Sequence, residues 1–209
     1  MEKIKLPRPT LILGCGILST GKSTLYAELI PKIADVCILN KDTINKSFLK
    51  TAQDCEELID SYKLSGPEIS LKGDHYREHI WRQSYLCMLG LARDNLLVGK
   101  HPLLEGNFTK EIRWGYLEKI VYPFFNEVDC QIKILFCHAP EEVIKERLKK
   151  RKDYRDKFSL EPELWSKLMQ DQPPLPPEIE QDSRILKLDT HANSLKENVQ
   201  KSIDYLLAN

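Results

Sequence analysis

The sequence predicts an α/β fold: a three-layer sandwich in which a five-stranded parallel sheet carries helices on both faces. Three observations predict it. Short apolar runs alternate with helical stretches along the chain, a glycine-rich turn joins the first run to the first helix, and there is neither an internal repeat nor a linker between domains. Strands that alternate with helices pair in parallel through right-handed crossovers, because a twisted strand feeding a helix packs back on the sheet in that hand.

Thr10-Leu11-Ile12-Leu13 is an apolar run bounded by prolines and glycines, which suits a strand buried on both faces. From Lys22 to Ile33 the apolar residues Leu25, Leu29, Ile30 and Ile33 recur at helical spacing, and Pro31, which has no backbone N–H to donate, is expected to end that helix early. Val36-Cys37-Ile38-Leu39 reads as the second strand, followed by the polar turn Asn40-Lys41-Asp42-Thr43 and a further helix. A long helix is expected from Asp74, a good N-cap, to Val98, closed by Gly99, with Ile80, Trp81, Leu86, Leu89, Leu96 and Leu97 as its apolar residues. His101 to Glu105 is the third strand, Ile112 to Phe125 a helix, and Gln131 to Cys137 the fourth strand. Glu141 to Arg151 begins with acids and ends with bases, which complements a helix dipole. Arg184 to Leu188 and Ser194 to Leu207 form the last strand and helix. Pro173-Pro174-Leu175-Pro176-Pro177 interrupts the rhythm as a stiff spacer, with a polyproline ligand for an SH3-like partner as the alternative.

The 209 residues suit one domain spanning residues 1–209, large enough to bury a core without disulfides or a structural metal. Lys plus Arg (31) and Asp plus Glu (31) cancel, so the chain lacks the basic surplus that draws proteins to nucleic acid or anionic lipid. No apolar run approaches the roughly 20 residues of a membrane span, and the first residues show no signal peptide, so a cytoplasmic protein without a membrane partner is expected. The six cysteines form no C-x-x-C pair and fall mostly in apolar segments, as reduced core thiols do.

The chemistry concentrates in one motif. Gly16-Ile17-Leu18-Ser19-Thr20-Gly21-Lys22-Ser23 fits G-x-x-x-x-G-K-[ST] between a predicted strand and a predicted helix, the context a phosphate loop requires. Glycines let backbone N–H groups turn toward phosphate oxygens, and the helix N-terminus adds positive potential. Lys22 neutralises β/γ charge and Ser23 offers a hydroxyl to magnesium. Gly16, Ser19, Thr20, Gly21, Lys22, Ser23 and Thr24 are therefore the candidate nucleotide-binding residues, with ATP and Mg2+ as the implied cofactors. Cys15, just before the loop, reads as apolar filler, with a redox sensor as the alternative.

With the loop placed, the chain resembles the P-loop kinases of the polynucleotide kinase, zeta-toxin and chloramphenicol phosphotransferase type, small AAA-family ATPase-like proteins. Four elements carry the resemblance: Gly16 to Ser23, Leu39-Asn40-Lys41-Asp42, Leu103-Leu104-Glu105-Gly106-Asn107-Phe108, and Arg147-Leu148-Lys149-Lys150-Arg151. The resemblance implies an ATP-dependent kinase acting on a hydroxyl group, with Asp42 as the base that accepts the hydroxyl proton; the alternative for Asp42 is to N-cap the next helix. It implies a Walker B-like role for Glu105 in holding magnesium or touching substrate, although relatives usually carry Asp there. It likens Arg113 to a substrate-contacting basic position, with an exposed helix arginine as the alternative, and Arg147 and Arg151 to arginines of a helical lid spanning about residues 147–170, with a solvated basic helix end as the alternative and Arg155 a further candidate. Relatives often carry a phosphate-gripping arginine where this chain has Asn45, and together with the zero net charge this favours a small hydroxylated acceptor over a polynucleotide.

His75-Tyr76-Arg77-Glu78-His79 matches the H-x-x-E-H of inverted zinc proteases, with a polar helix face as the plainer reading. Tyr62, Tyr76, Arg77 and Trp81 fall where similar kinases recognise substrate, and aromatic residues at helical spacing also pack in cores. Two other functions stay open: a noncatalytic or slow ATP-binding switch, and a zeta-toxin-like kinase of a sugar nucleotide or a polynucleotide 5'-hydroxyl kinase.

Overall fold

All six residues of β1 (Thr10–Cys15) are buried, and that fact organises the molecule. A strand with apolar side chains on both faces needs a layer above, a layer below and a neighbour at each edge. It has all four in the structure of the protein, a computed structural model that describes residues 2–54, 76–151 and 161–208. β3 (His101–Glu105) and β4 (Gln131–His138) flank β1, β2 (Val36–Asn40) lies outside β3, and β5 (Ile185–Asp189) lies outside β4. Every pairing is parallel, in the order β2-β3-β1-β4-β5. The chain leaves β1 for one edge and later crosses to the other, so a crevice opens beyond the carboxyl end of β1, the place where open parallel sheets bind ligands.

Each face has its own core. On one, Leu25, Tyr26 and Leu29 of α1 (Lys22–Leu29) and Val199, Ile203 and Leu206 near the C-terminus cover Ile12, Leu103, Leu135, Cys137 and Leu188. On the other, residues 81–125 cover Leu11, Leu13, Leu104, Ile134 and Phe136. Helix α2 (Lys41–Asp54) follows β2 with no intervening turn, so the polar tetrapeptide read as a turn is the end of a strand and the start of a helix.

Pro31 does end α1: a 3-10 turn, Ile30–Lys32, replaces the last helical turn. The expected long helix is α3 (Trp81–Leu97), entered through a π turn, Tyr76–Ile80; Asp74 lies outside the described residues. Its buried stripe is Tyr85, Met88, Leu89, Ala92 and Leu96, whereas Leu86 and Leu97 are 59% and 63% exposed. Counting apolar residues admits either stripe, and the sheet selects the one that runs through Met88 and Ala92. The helix read from Ile112 to Phe125 is broken. α4 (Thr109–Arg113) stops where Gly115 takes φ 79°, and a π turn, Leu117–Val121, leads into the short α5 (Tyr122–Phe124).

After β4 come α6 (Glu141–Arg151) and α7 (Pro162–Asp171), with Trp165 of α7 buried beside Ile17 of the loop and Ile144 and Leu148 of α6. The proline run is a spacer: Leu175 packs on the core, and Pro177 opens α8 (Pro177–Glu180) at the position where a missing N–H is harmless. Ser194 caps α9 (Leu195–Leu207) in a reciprocal capping box with Glu197. Among the described residues no helix is long and apolar enough to cross a membrane. Cys15 and Cys137 are fully buried, and burial raises both thiols well out of the reactive range, which makes Cys15 filler rather than a sensor.

Candidate functional site

Beyond Cys15 the chain turns through Gly16 (φ 127°), Ser19 (φ 55°) and Gly21 (φ 88°) before α1 begins. Gly16 is required twice over: its conformation strains any L side chain, and a Cβ there would strike the Cys137 carbonyl oxygen and the Thr20 hydroxyl. The turn is clamped by the Gly16 N–H to the Asn107 carbonyl (2.9 Å) and the Thr20 hydroxyl to the Ile17 carbonyl (2.8 Å). Gly21 precedes α1 with no side chain capping it, so the first N–H groups of the helix face a cleft of about 870 Å³.

Lys22 Nζ donates to the carbonyls of Gly16 (2.6 Å) and Ile17 (2.8 Å), which places the ammonium over the hollow of the loop. Burial lowers its pKa, and the negative groups around it, Glu105 and Asp42 among them, act in the opposite direction. A phosphate in the loop would favour the charged form further.

Parallel register assembles the rest. Asn40 pairs with Glu105 across β2 and β3, and Gly14 pairs with Glu105 across β1 and β3. Glu105 Oε1 accepts from Ser23 Oγ at 2.8 Å and Oε2 from Asn40 Nδ2 at 2.7 Å, so one carboxylate joins the loop helix to the end of β2. The Thr43 N–H donates to Asn40 Oδ1 at 3.0 Å. Capping of α2 therefore falls to Asn40, and Asp42, in the first turn of that helix, lines the cleft. Asn45 is 1% exposed and bonded to Ser84, so it ties α2 to α3.

Arg147 joins the loop to the turn after β5. Its guanidinium donates to the Ser19 carbonyl (3.3 Å), to Thr190 Oγ1 (2.9 Å) and to the Thr190 carbonyl (2.7 Å), while Thr190 Oγ1 donates to the Thr20 carbonyl (2.8 Å). Arg151 lines the same cleft one turn along α6. Arg113 does not reach it. It donates to the Asp171 carbonyl (2.8 Å) and lies 3.5 Å from Glu178, because α4 ends facing α7 and α8 rather than the loop. The same holds for Gly16 and Thr20, which shape the loop from behind, whereas Ser19, Gly21, Lys22, Ser23 and Thr24 line the cleft.

Sequence reasoning passed over Lys41, Asn107, Thr190, Asn193 and Asn198, all of which line the cleft. Four of them follow a strand at its carboxyl end or lie close beyond it, and that position was the available signal. The H-x-x-E-H reading gains nothing: His75 lies outside the described residues, and among those described no three metal-ligating side chains cluster. Tyr62 and Arg155 also lie outside them.

Comparison with known proteins agrees with this fold. The family model of the AAA domain matches residues 11–175. No curated protein matches the chain. Among solved structures, a candidate kinase of Chloroflexus aurantiacus superposes with a TM-score of 0.61 at 20% identity, covering 95% of this chain and 96% of that one. A sugar kinase of Janibacter gives 0.57 at 14% identity over 97% and 96%. Kti12 of Chaetomium thermophilum in complex with ADP-AlF3 gives 0.55 at 17% identity over 96% and 100%. At these identities the likeness shows the fold.

Proposed function

We propose, from the premise that the chain belongs to the AAA domain family, that it is an ATP-dependent kinase transferring the γ-phosphate to a hydroxyl of a small molecule. The observation that carries this reading is the placement of Asp42 in one cleft with the phosphate loop, while Asn40 does the capping of α2. Phosphoryl transfer asks the protein to position two groups and to stabilise spreading charge, and the cleft's residues suit both tasks.

ATP phosphates would lie against the N–H groups of the loop and of α1, with Lys22 neutralising the β/γ oxygens. Ser23 and Glu105 would hold Mg2+: a hydroxyl and a carboxylate meeting at 2.8 Å are the oxygen donors that this cation takes beside water and phosphate. When bound, it supplies charge neutralisation across the β- and γ-phosphates. Asp42 orients the acceptor hydroxyl and takes its proton as the oxygen–phosphorus bond forms and the bond to the β-phosphate oxygen breaks. Arg147 holds the loop to the β5 turn, and Arg151, exposed on the same helix face, is the arginine we assign to the transferred group.

The sugar kinase among the structural neighbours supports a small hydroxylated acceptor, and the complex of Kti12 with ADP-AlF3 supports the nucleotide. The balanced charge of the chain favours such an acceptor over a polynucleotide end. A second reading, a slow ATP-binding switch, has one observation behind it: Arg147 couples the loop mechanically to α6. Transfer from labelled ATP and Mg2+ to pooled small metabolites separates the two. The kinase gives a labelled acceptor that is lost in Lys22→Ala and Asp42→Asn; ATP binding without labelled product would favour the switch.

A further inference from the structure

The cleft holds a cation that neither the loop nor the base accounts for. Lys41 is the first residue of α2, where a helix dipole disfavours positive charge and acids or small polar residues are usual. Its side chain is half-buried and lines the cleft beside Asp42. The ammonium stands 4.2 Å from the centroid of the Tyr85 ring and 5.9 Å from that of Trp81. Among the described residues no carboxylate forms an ion pair with it. Burial lowers its pKa, and the charges of Glu111 and Asp42 act in the opposite direction.

The platform beneath it is held by further contacts. The Tyr85 hydroxyl donates to Glu111 Oε1 at 2.7 Å, and the Tyr85 ring packs on Phe108 and Tyr116 with centroids 5.4 and 5.7 Å apart. A lysine set against the helix dipole, partly stripped of water and fixed on aromatic faces is a local violation of sequence rules, and such violations collect at binding sites.

We propose that Lys41 binds a carboxylate carried by the phosphoryl acceptor, which makes the substrate a hydroxy acid rather than a neutral polyol. The hydroxyl half of this inference rests on the kinase reading above; the carboxylate half does not. One ammonium matches one negative charge. A phosphate dianion is usually gripped by several donors, often arginine, and a second negative charge here would face Glu111 and Asp42. Asn45, one turn further along α2, brings no cation, being buried against Ser84. Consecutive helix residues project about 100° apart, so Asp42 and Lys41 would engage different ends of a short acceptor.

The test is calorimetric titration of the ADP-loaded protein with glycerate, erythronate and gluconate, with glycerol, erythritol and sorbitol, and with glycerol 3-phosphate. The titrations are repeated on Lys41→Met and Lys41→Arg, after thermal unfolding has established that both are folded. Phosphoryl transfer from ATP is measured on the same panel. At least one hydroxy acid is expected to bind about tenfold or more tightly than its polyol. Lys41→Met should lower that affinity about 10- to 100-fold, the range of a lost hydrogen bond to a charged group. Lys41→Arg should retain part of it, with ATP affinity unchanged in both. Equal binding of acids and polyols, preference for glycerol 3-phosphate over glycerate, or a Lys41→Met loss that falls on ATP would each overturn the proposal. A hydroxy acid that binds through Lys41 and is never phosphorylated would uphold the carboxylate half alone and refute the kinase reading; transfer to polyols alone would overturn the carboxylate half and uphold the kinase reading.

Discussion

The two ends of the cleft are built from different materials. At the nucleotide end the binding surface is main chain: a turn shaped by Gly16 and Gly21, the uncapped start of α1, and carbonyls that hold Lys22 over the hollow. At the end we assign to the acceptor it is side chain: Lys41 and Asp42 of α2 line the cleft, and Lys41 is backed by Tyr85 and Trp81 of α3 and, through Tyr85, by Glu111 of α4. Backbone N–H groups recognise a phosphate in any chain that adopts the turn, whereas side-chain walls are particular to one acceptor. The first end therefore speaks of a class of ligand and the second of an individual substrate.

Removing the one indispensable side chain of the nucleotide end gives the largest contrast. In Lys22→Ala, ATP affinity should fall at least about 100-fold, as expected when charge-assisted contacts to phosphate are lost, while binding at the acceptor end persists; fluorescent-nucleotide titration reads it. Unchanged ATP affinity would mean that the loop does not hold phosphate.

Gly16→Ala attacks the backbone itself. The new Cβ meets the Cys137 carbonyl in a conformation alien to L residues, so the melting transition should drop by an amount equivalent to about 1–3 kcal/mol, with nucleotide binding lost alongside. A substitution behind Lys41, such as Trp81→Ala, should leave ATP binding intact and so mark the boundary between the two ends.

The tie between loop and β5 turn is a smaller effect. Arg147→Ala and Thr190→Val should each weaken ATP binding, and because the two side chains bond each other their effects should fall short of additivity by about 0.5–3 kcal/mol in a double-mutant cycle. Strict additivity would show that Arg147 acts on the nucleotide independently of Thr190.

Much of the nucleotide end was legible in the sequence because its information is local. Eight consecutive residues specify the turn, and the flanking apolar runs specify the strand and helix that frame it. Asp42 and Glu105 were picked out by the family resemblance and by lying at or just beyond the carboxyl ends of β2 and β3, and both line the cleft. The surroundings of Lys41 were less legible: Trp81 stood out by its place between the second and third strands, but residues 41, 81, 85 and 111 meet only through the packing of three helices, and Arg113 misled because its helix stops at a glycine turn. The buried stripe of α3 was misread for the same reason: Leu86 and Met88 are equally apolar in sequence, and only the sheet decides between them.

The smallest prediction concerns pH and lies outside both ends. His101 is buried, its Nδ1 accepts the Thr10 N–H at 3.2 Å, and burial holds its pKa below the ordinary value of about 6.5. Below that value the unfolded chain binds the proton before the folded one, so stability is fully present above about pH 6.5 and declines as pH falls through the folded value. His138, lowered by burial as well, adds in the same direction. Urea midpoints should fall between about pH 7.5 and pH 5.5, and less steeply in His101→Gln; identical slopes would remove His101 from the account.

In the kinase reading Asp42 serves chemistry in a cleft whose nucleotide end holds ATP without it. The direct measurement is ATP affinity and phosphoryl transfer rate in Asp42→Asn beside the wild type, using whichever acceptor the metabolite pool reveals. ATP affinity should be unchanged and turnover lower by about 10²- to 10⁴-fold, the range for removing a general base. Turnover at the wild-type rate, or an equal loss in ATP binding, would contradict that role.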